Sequence, residues 1–465
     1  MLHVGTRVFT SFRRRARRSR YRLDTVLLAA LLLGIAAPLA TQPSGPRPPA
    51  PRSTPSPSPS GPTAGKLTVF GQYTGEFAAN ATGGEQLGSA FANSFLLGAN
   101  YTFAHTRPDD VGSLHFIFTE GWGSSLTQNA LGNIASVQGV YGAGETPRIS
   151  ELNYEQQSGK FDVQVGRLVM QSDFAASFNY WGCNLWCFYQ NGATFDAAPT
   201  NSGYSYFPLS TWGASGRVSP SQSFYAQTGI FQTTPAEYAN RGHGFNLSFN
   251  GAGIDVPLEF GFLSHDRNGN YNGSVRVGGY YDTSNALGAQ NNLSSFVAPG
   301  SPALNQVPST TYRGQSGEWL LVDHLISGSS APNARGVAIF GTYAYGDPQT
   351  AFLSNFADAG IVVHGTFADR PNDTIALGWF YLDVNPRLRA FEYQLRREGF
   401  AVPTNRIEQD LELNYGIDLA PWAFLRPSIQ YVINPAGTMG GYVYPGGAVG
   451  LHNALVIGFN ATYLY

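Results

Sequence analysis

The sequence predicts an all-β fold: a transmembrane antiparallel β-barrel of about sixteen strands, with short periplasmic turns and long outer loops. Three observations carry this. Only 12% of the 465 residues are charged, against roughly 25% in an average soluble domain. Beyond residue 40 no apolar run approaches the ~18 residues a membrane helix needs, which excludes a helical bundle. From Lys66 onward apolar and polar residues alternate with period two, as strands with one oily and one wet face require. The rest of the composition agrees, with 55 Gly, 14% aromatic residues and Lys only at Lys66 and Lys160.

Residues 1–22 hold eight Arg and no acid, and Val26 to Ala40 then reads VLLAALLLGIAAPLA, closing on small residues. Residues 1–40 are therefore expected to be a signal peptide cleaved near Ala40, the apolar run being short for an anchor. Its removal takes away eight Arg and Asp24, moving the net charge from −2 to near −9. An acidic chain without a basic cluster argues against nucleic acid as a partner. Residues 41–65, TQPSGPRPPAPRSTPSPSPSGPTAG, are expected to be a disordered Pro-rich linker. The barrel is assigned to residues 66–465.

Within it, Leu67, Val69, Tyr73 and Phe77 fall on one face of the first strand and Thr68, Gln72, Thr74 and Glu76 on the other. Phe95, Leu97, Ala99, Tyr101 and Phe103 alternate with Ser94, Gly98, Asn100 and Thr102. The clearest case is Glu408 to Leu419, where Leu411, Leu413, Tyr415, Ile417 and Leu419 interleave with Glu408, Asp410, Glu412, Asn414 and Asp418. A soluble sandwich also alternates, but its wet face would show Lys freely. Candidate strands start near 66, 93, 113, 149, 160, 211, 223, 245, 255, 274, 318, 336, 360, 373, 408, 423 and 453. Seventeen is odd, and a single-chain bacterial barrel needs an even count. Short connectors (105–112, 158–159, 219–222, 327–335, 369–372, 420–422) alternate with longer ones (78–92, 123–148, 169–210, 282–317, 346–359, 384–407, 434–452). The alternation holds only if Phe245 to Asn250 lies inside one outer loop, 233–254. The final segment, ALVIGFNATYLY, ends amphipathic and aromatic, as a closing outer-membrane strand does.

A sixteen-stranded barrel leaves an aqueous bore, so selectivity must come from infolded loops and inward side chains. Loop 169–210 mixes Phe174, Phe178, Tyr180, Trp181, Trp186, Phe188 and Tyr189 with Asp173, Asn179, Asn184, Gln190 and Asn191. Such a mixture suits a sugar, which offers C–H faces to rings and hydroxyls to groups that donate and accept. The plainer reading is that the rings pin the loop to the wall. Cys183 and Cys187, four apart in this loop, are expected to form a disulfide in an oxidising compartment; metal binding is the rival, with His115 and His243 the closest His in sequence. Strand parity turns Asn153, Glu155, Gln164, Arg217, Glu259, Arg276, His364, Glu408, Asp410, Glu412, Arg426, Ser428 and Gln430 inward. Facing Arg and acids would set a transverse field across the bore; wall salt bridges are the alternative. No HExxH, G-x-S-x-G or phosphate-cradling glycine loop occurs, so no catalytic residue, cofactor or metal is expected.

Four stretches, VGRLVMQSDFA (165–175), WGASGRVSP (212–220), GIVVHGTFADRPNDTIALGWF (360–380) and EQDLELNYGIDLAPWAFLRPSIQYVINP (408–435), resemble the carbohydrate-selective porins of the OprB type. The resemblance covers most of 150–465. It implies an outer-membrane channel through which mono- and small oligosaccharides diffuse down their gradient. Positions matching the pattern are Gly166, Arg167, Asp173, Phe174, Trp212, Arg370, Asp373, Glu408, Glu412, Tyr415, Pro427, Gln430, Asn434 and Pro435, of which Arg370 and Asp373 look architectural. The Pro-rich lead-in departs from the family pattern. Together the two lines of reading nominate Arg167, Asp173, Trp181, Trp186, Glu259, Arg276, Glu408, Glu412, Arg426 and Gln430 for the substrate pathway. Expected partners are glucose-like sugars and outer-membrane lipid, with the protein a monomer or homotrimer. Rival readings are a general or ion-selective porin, an outer-membrane hydrolase and an adhesin.

Overall fold

A computed structural model describes residues 64–465 apart from 142–144, 177–200, 202–204, 234–243, 246, 250 and 330–334. Sixteen strands form one closed antiparallel barrel in which each pairs with its sequence neighbours and the last closes on the first. They are β1 Lys66–Gly84, β2 Gly88–Thr102, β3 Asp110–Gly123, β4 Arg148–Ser158, β5 Phe161–Leu168, β6 Thr211–Ser221, β7 Phe224–Thr233, β8 Gly253–His265, β9 Tyr271–Leu287, β10 Thr311–Gly328, β11 Gly336–Gly346, β12 Leu353–His364, β13 Thr374–Val384, β14 Ile407–Ala420, β15 Ala423–Ile433 and β16 His452–Leu464. Phe245, Leu247, Ser248 and Phe249 lie outside every strand, as the loop alternation required.

The wall obeys the period-two expectation. Leu411 and Leu413 point outward, 40% and 49% exposed, while Glu408, Asp410 and Glu412 of the same strand are buried inside. Leu67, Val163, Val165, Leu258, Val277, Leu320, Ile429 and Ile457 continue the oily exterior round the ring, where hydrocarbon replaces water. The alternative, an open sandwich, would leave sheet edges that this closed ladder lacks.

Several loop boundaries need correction, among them 346–359, which shrinks to 347–352 because β12 begins at Leu353, and 369–372, which widens to 365–373 because β12 ends at His364. Segment 78–92 is mostly strand, because β1 and β2 run on as a hairpin to a turn at 85–87, and segment 282–317 shrinks to 288–310 as β9 and β10 extend. In both, polar residues continue the pairing beyond the oily band, where alternation no longer marks a strand. Loop 385–406 contains a helix, Pro386–Arg397, capped by Asn385, whose side chain accepts from Arg387 N. Arg370 and Asp373, which looked architectural in the sequence, staple the turn 365–373. Arg370 holds Asp373 with two hydrogen bonds of 2.9 Å and also donates to the Asp418 carbonyl. Burial acts to raise the Asp373 carboxyl, but bonds from Arg370, Tyr415 and the Asp418 N–H outweigh it and hold it below its ordinary range.

Candidate functional site: inward side chains that hold the loops

Two groups of inward side chains face each other across the barrel. The first centres on Glu259 of β8. Its carboxylate accepts from Tyr225 OH (2.8 Å), Gln227 Nε2 (2.9 Å), Trp319 Nε1 (2.8 Å) and the backbone N–H of Ala175 (2.8 Å). Glycine makes this possible: a Cβ on Gly261 would fall 1.9 Å from the Tyr225 ring and one on Gly278 2.6 Å from Trp319. Both rings lie flat on the wall only because those positions carry no side chain. Arg217 stacks on the other face of Tyr225 at 3.6 Å, and Arg276 is buried one strand along. Asp173, on the single helical turn Met170–Asp173, accepts from Ser215 Oγ at 3.0 Å, and its carbonyl takes Gln227 Nε2.

The second group lies on β1 and β14–β16, five to eight strands round the ring from β8 and β9. Glu408 accepts three backbone N–H groups: Ile134 (2.8 Å) and Ala135 (2.9 Å) from loop 124–147, and Ala436 (2.6 Å) from loop 434–451. Glu76 accepts from Val140 N and Asn460 Nδ2, both at 3.1 Å. Gln430 donates to the Val137 carbonyl (3.2 Å), and Glu412 accepts from Asn414 (2.8 Å). Gln138, inside the loop, reaches the Glu76 carbonyl.

These bonds tie described residues of both loops to strands other than those the loops leave and enter. Loop 124–147 leaves β3 and is held on β14, five strands away; loop 169–210 leaves β5, and its Asn201 exchanges hydrogen bonds of 2.7 and 2.9 Å with the backbone of Leu353 on β12. Apolar packing secures both. Leu126, Ala130, Leu131 and Val137 bury against Ala78, Ala90, Val432, Ala454 and Val456. On the other side Phe174, Leu293, Leu388, Phe391 and Leu395 form one core with Trp319, Phe356 and Phe380 of β10, β12 and β13. Burying each such side chain is worth about 1.5–3 kcal/mol.

A family model described as carbohydrate-selective porin, OprB family, matches residues 89–464. The chain belongs to that family. It is 27% identical to Porin B of Pseudomonas aeruginosa over 388 residues, covering 79% of this chain and 82% of the relative. It is 23% identical over 384 residues to a putative porin, QuiX, of Acinetobacter baylyi, covering 77% and 82%. The high-pH structure of Pseudomonas putida OprB is similar at TM-score 0.72 and 25% identity, covering 86% of this chain and 94% of that one. This OprB-family protein is therefore a carbohydrate-selective porin of the outer membrane.

Of the residues nominated from sequence, the porin's structure brings Asp173, Glu259 and Arg276 together on one wall and Glu408, Glu412, Arg426 and Gln430 on the other. Arg167 belongs to neither group: buried at the end of β5, it donates to the Ser210 carbonyl where loop 169–210 returns. Trp181, Trp186, Cys183 and Cys187 lie outside the described residues. Glu76, Tyr225, Gln227 and Trp319 were missed. Parity had marked Glu76 as inward-facing, but nothing in the sequence tied it to loop 124–147.

Proposed function

We propose that this porin passes neutral mono- and small oligosaccharides of the glucose type passively through a bore narrowed by loops 124–147 and 169–210, and that it carries no catalytic activity. The observation behind this reading is that inward Glu408, Glu76 and Gln430 hold loop 124–147 and inward Glu259 and Gln227 hold the start of loop 169–210, which puts fixed hydrogen-bonding groups beside the passage. Trp181 and Trp186 supply ring faces for the sugar, and Arg167, Asp173, Glu259, Arg276, Glu408, Glu412, Arg426 and Gln430 hold the loops and the polarity around it. Cys183 and Cys187 are joined as a disulfide that stiffens loop 169–210. Residues 1–40 direct export and 41–65 form a solvated lead-in. Lipid coats the oily exterior, and one barrel is a complete pore whether it exists as a monomer or a homotrimer.

Single-channel recording in planar bilayers with graded glucose and maltose tests the reading. Current falling with sugar concentration supports it. Conductance that depends steeply on ion charge and ignores sugar would replace it with an ion-selective porin.

A further inference from the structure

The outer loops carry a built feature that the bore does not use. Loop 434–451 folds into a small hairpin: Val443 bridges Val449, and main-chain hydrogen bonds link Tyr442 to Met439, Gly450 to Tyr442 and Tyr444 to Ala448. Residues two apart on a strand share a face, and Tyr442 and Tyr444 meet edge to face at 4.9 Å. The Tyr444 hydroxyl is fixed at both ends, accepting from Met439 N (2.9 Å) and donating to the Thr404 carbonyl (3.3 Å). The Arg396 guanidinium, from the helix Pro386–Arg397, lies 4.8 Å from the Tyr444 ring centre and 4.6 Å from that of Tyr393. The four side chains form a ladder, Tyr393, Arg396, Tyr444, Tyr442, that joins helix to hairpin. Its ends stand open: Tyr393 and Tyr442 are each 48% exposed. Arg396 is itself partly exposed beside Tyr393.

We propose that Tyr393 with Arg396 at one end of the ladder, and Tyr442 at the other, form a docking platform for pyranose sugars, each end offering one ring face, and that the platform holds carbohydrate on the outer face before it enters the bore. The proposal rests on the carbohydrate selectivity of this porin and adds a second place where sugar is recognised. A pyranose presents axial C–H bonds to an aromatic face and hydroxyls that accept from a guanidinium. Because Tyr444 and the hairpin already fix the ladder, little side-chain entropy is lost on binding. Two exposed rings and one donor give weak, fast-exchanging attachment, which suits a capture step that must release its solute.

The test is sugar-induced current noise from single channels, with glucose and maltose added to each side of the bilayer in turn. The wild-type porin is expected to capture sugar about threefold or more faster from one side than from the other, a difference that corresponds to one ring stack. Tyr393→Ala with Tyr442→Ala should abolish that asymmetry and leave the sugar-free conductance and the release rate unchanged. Should the double variant conduct abnormally without sugar, Tyr442→Ser alone, at an exposed position of the hairpin, carries the same test. Equal capture rates from both sides in the wild type, or an asymmetry that survives both variants, would overturn the platform and leave the porin reading intact. Absence of sugar noise from either side would overturn both.

Discussion

Replacing Glu408 by Ala should free the tip of loop 124–147. The carboxylate accepts three backbone N–H groups at 2.6–2.9 Å, and bonds to a charged acceptor contribute about 1.5–3 kcal/mol each. Ala135 and Ala436 are themselves buried, so water replaces the lost acceptor poorly and the donors stay uncompensated. Gln138, Glu76 and Gln430 still hold the neighbouring stretch, which confines the release to residues around Ile134 and Ala135. A local loss of roughly 3–6 kcal/mol raises the undocked population by about 10²–10⁴-fold. Hydrogen exchange read by mass spectrometry should then show the amides of Ile134 and Ala135 exchanging at least ~100-fold faster. The open channel should gain conductance and noise in the same variant. Glu408→Gln, which keeps one carbonyl oxygen, should fall between the two. If those two amides exchange at the wild-type rate in a variant that still inserts, the carboxylate does not moor the loop.

Three further outcomes follow from the same wall and loops. Leu411→Arg puts a cation on the oily face of β14 at a cost of about 2–4 kcal/mol near the bilayer midplane; urea titration in liposomes should show a lower midpoint, and Leu411→Ile should show none of this. Glu392, wholly buried on the loop helix, accepts from Asn405 N, and burial pushes its carboxyl up to about 8. Because the folded chain holds that proton more tightly than the unfolded one, its stabilising effect is complete below about pH 4.5 and is lost as pH rises to about 8. Thermal unfolding in detergent should therefore drop across that window, and Glu392→Gln should flatten the profile; an unchanged profile would refute the assignment. Non-reducing peptide mapping of the exported protein should recover Cys183 and Cys187 in one cross-linked species, and two alkylatable thiols would exclude the disulfide.

The strand count was legible because two independent signals agreed. Parity marks a membrane strand, and the alternation of short and long connectors rejected Phe245 to Asn250, which parity alone had admitted. Parity also set which charges face the bore, since a slip of one residue would have turned Leu411 and Leu413 inward. It could not say what those charges touch. Glu408 reads identically in sequence whether it meets water, an Arg or the backbone of a loop from β3; only closure of the ring brings Ile134 and Ala135 to it. The helix Pro386–Arg397 did leave a trace, an Asn-Pro start followed by Leu388, Phe391 and Leu395 at helical spacing. A scan for period two passes over such a segment.

A cylinder packed from two sides loses its symmetry about the axis. One pack leans on β1, β2, β15 and β16 and the other on β9, β10, β12 and β13. Between them, on β3–β5, inward His115, Glu155, Gln157 and Gln164 remain partly open, with His115 and Glu155 2.9 Å apart. A solute in the lumen is expected to meet these side chains as well as the packed walls. Exchanging residues behind either buttress should alter how firmly the walls are braced, whereas exchanging His115 or Glu155 should alter the surface that the lumen presents.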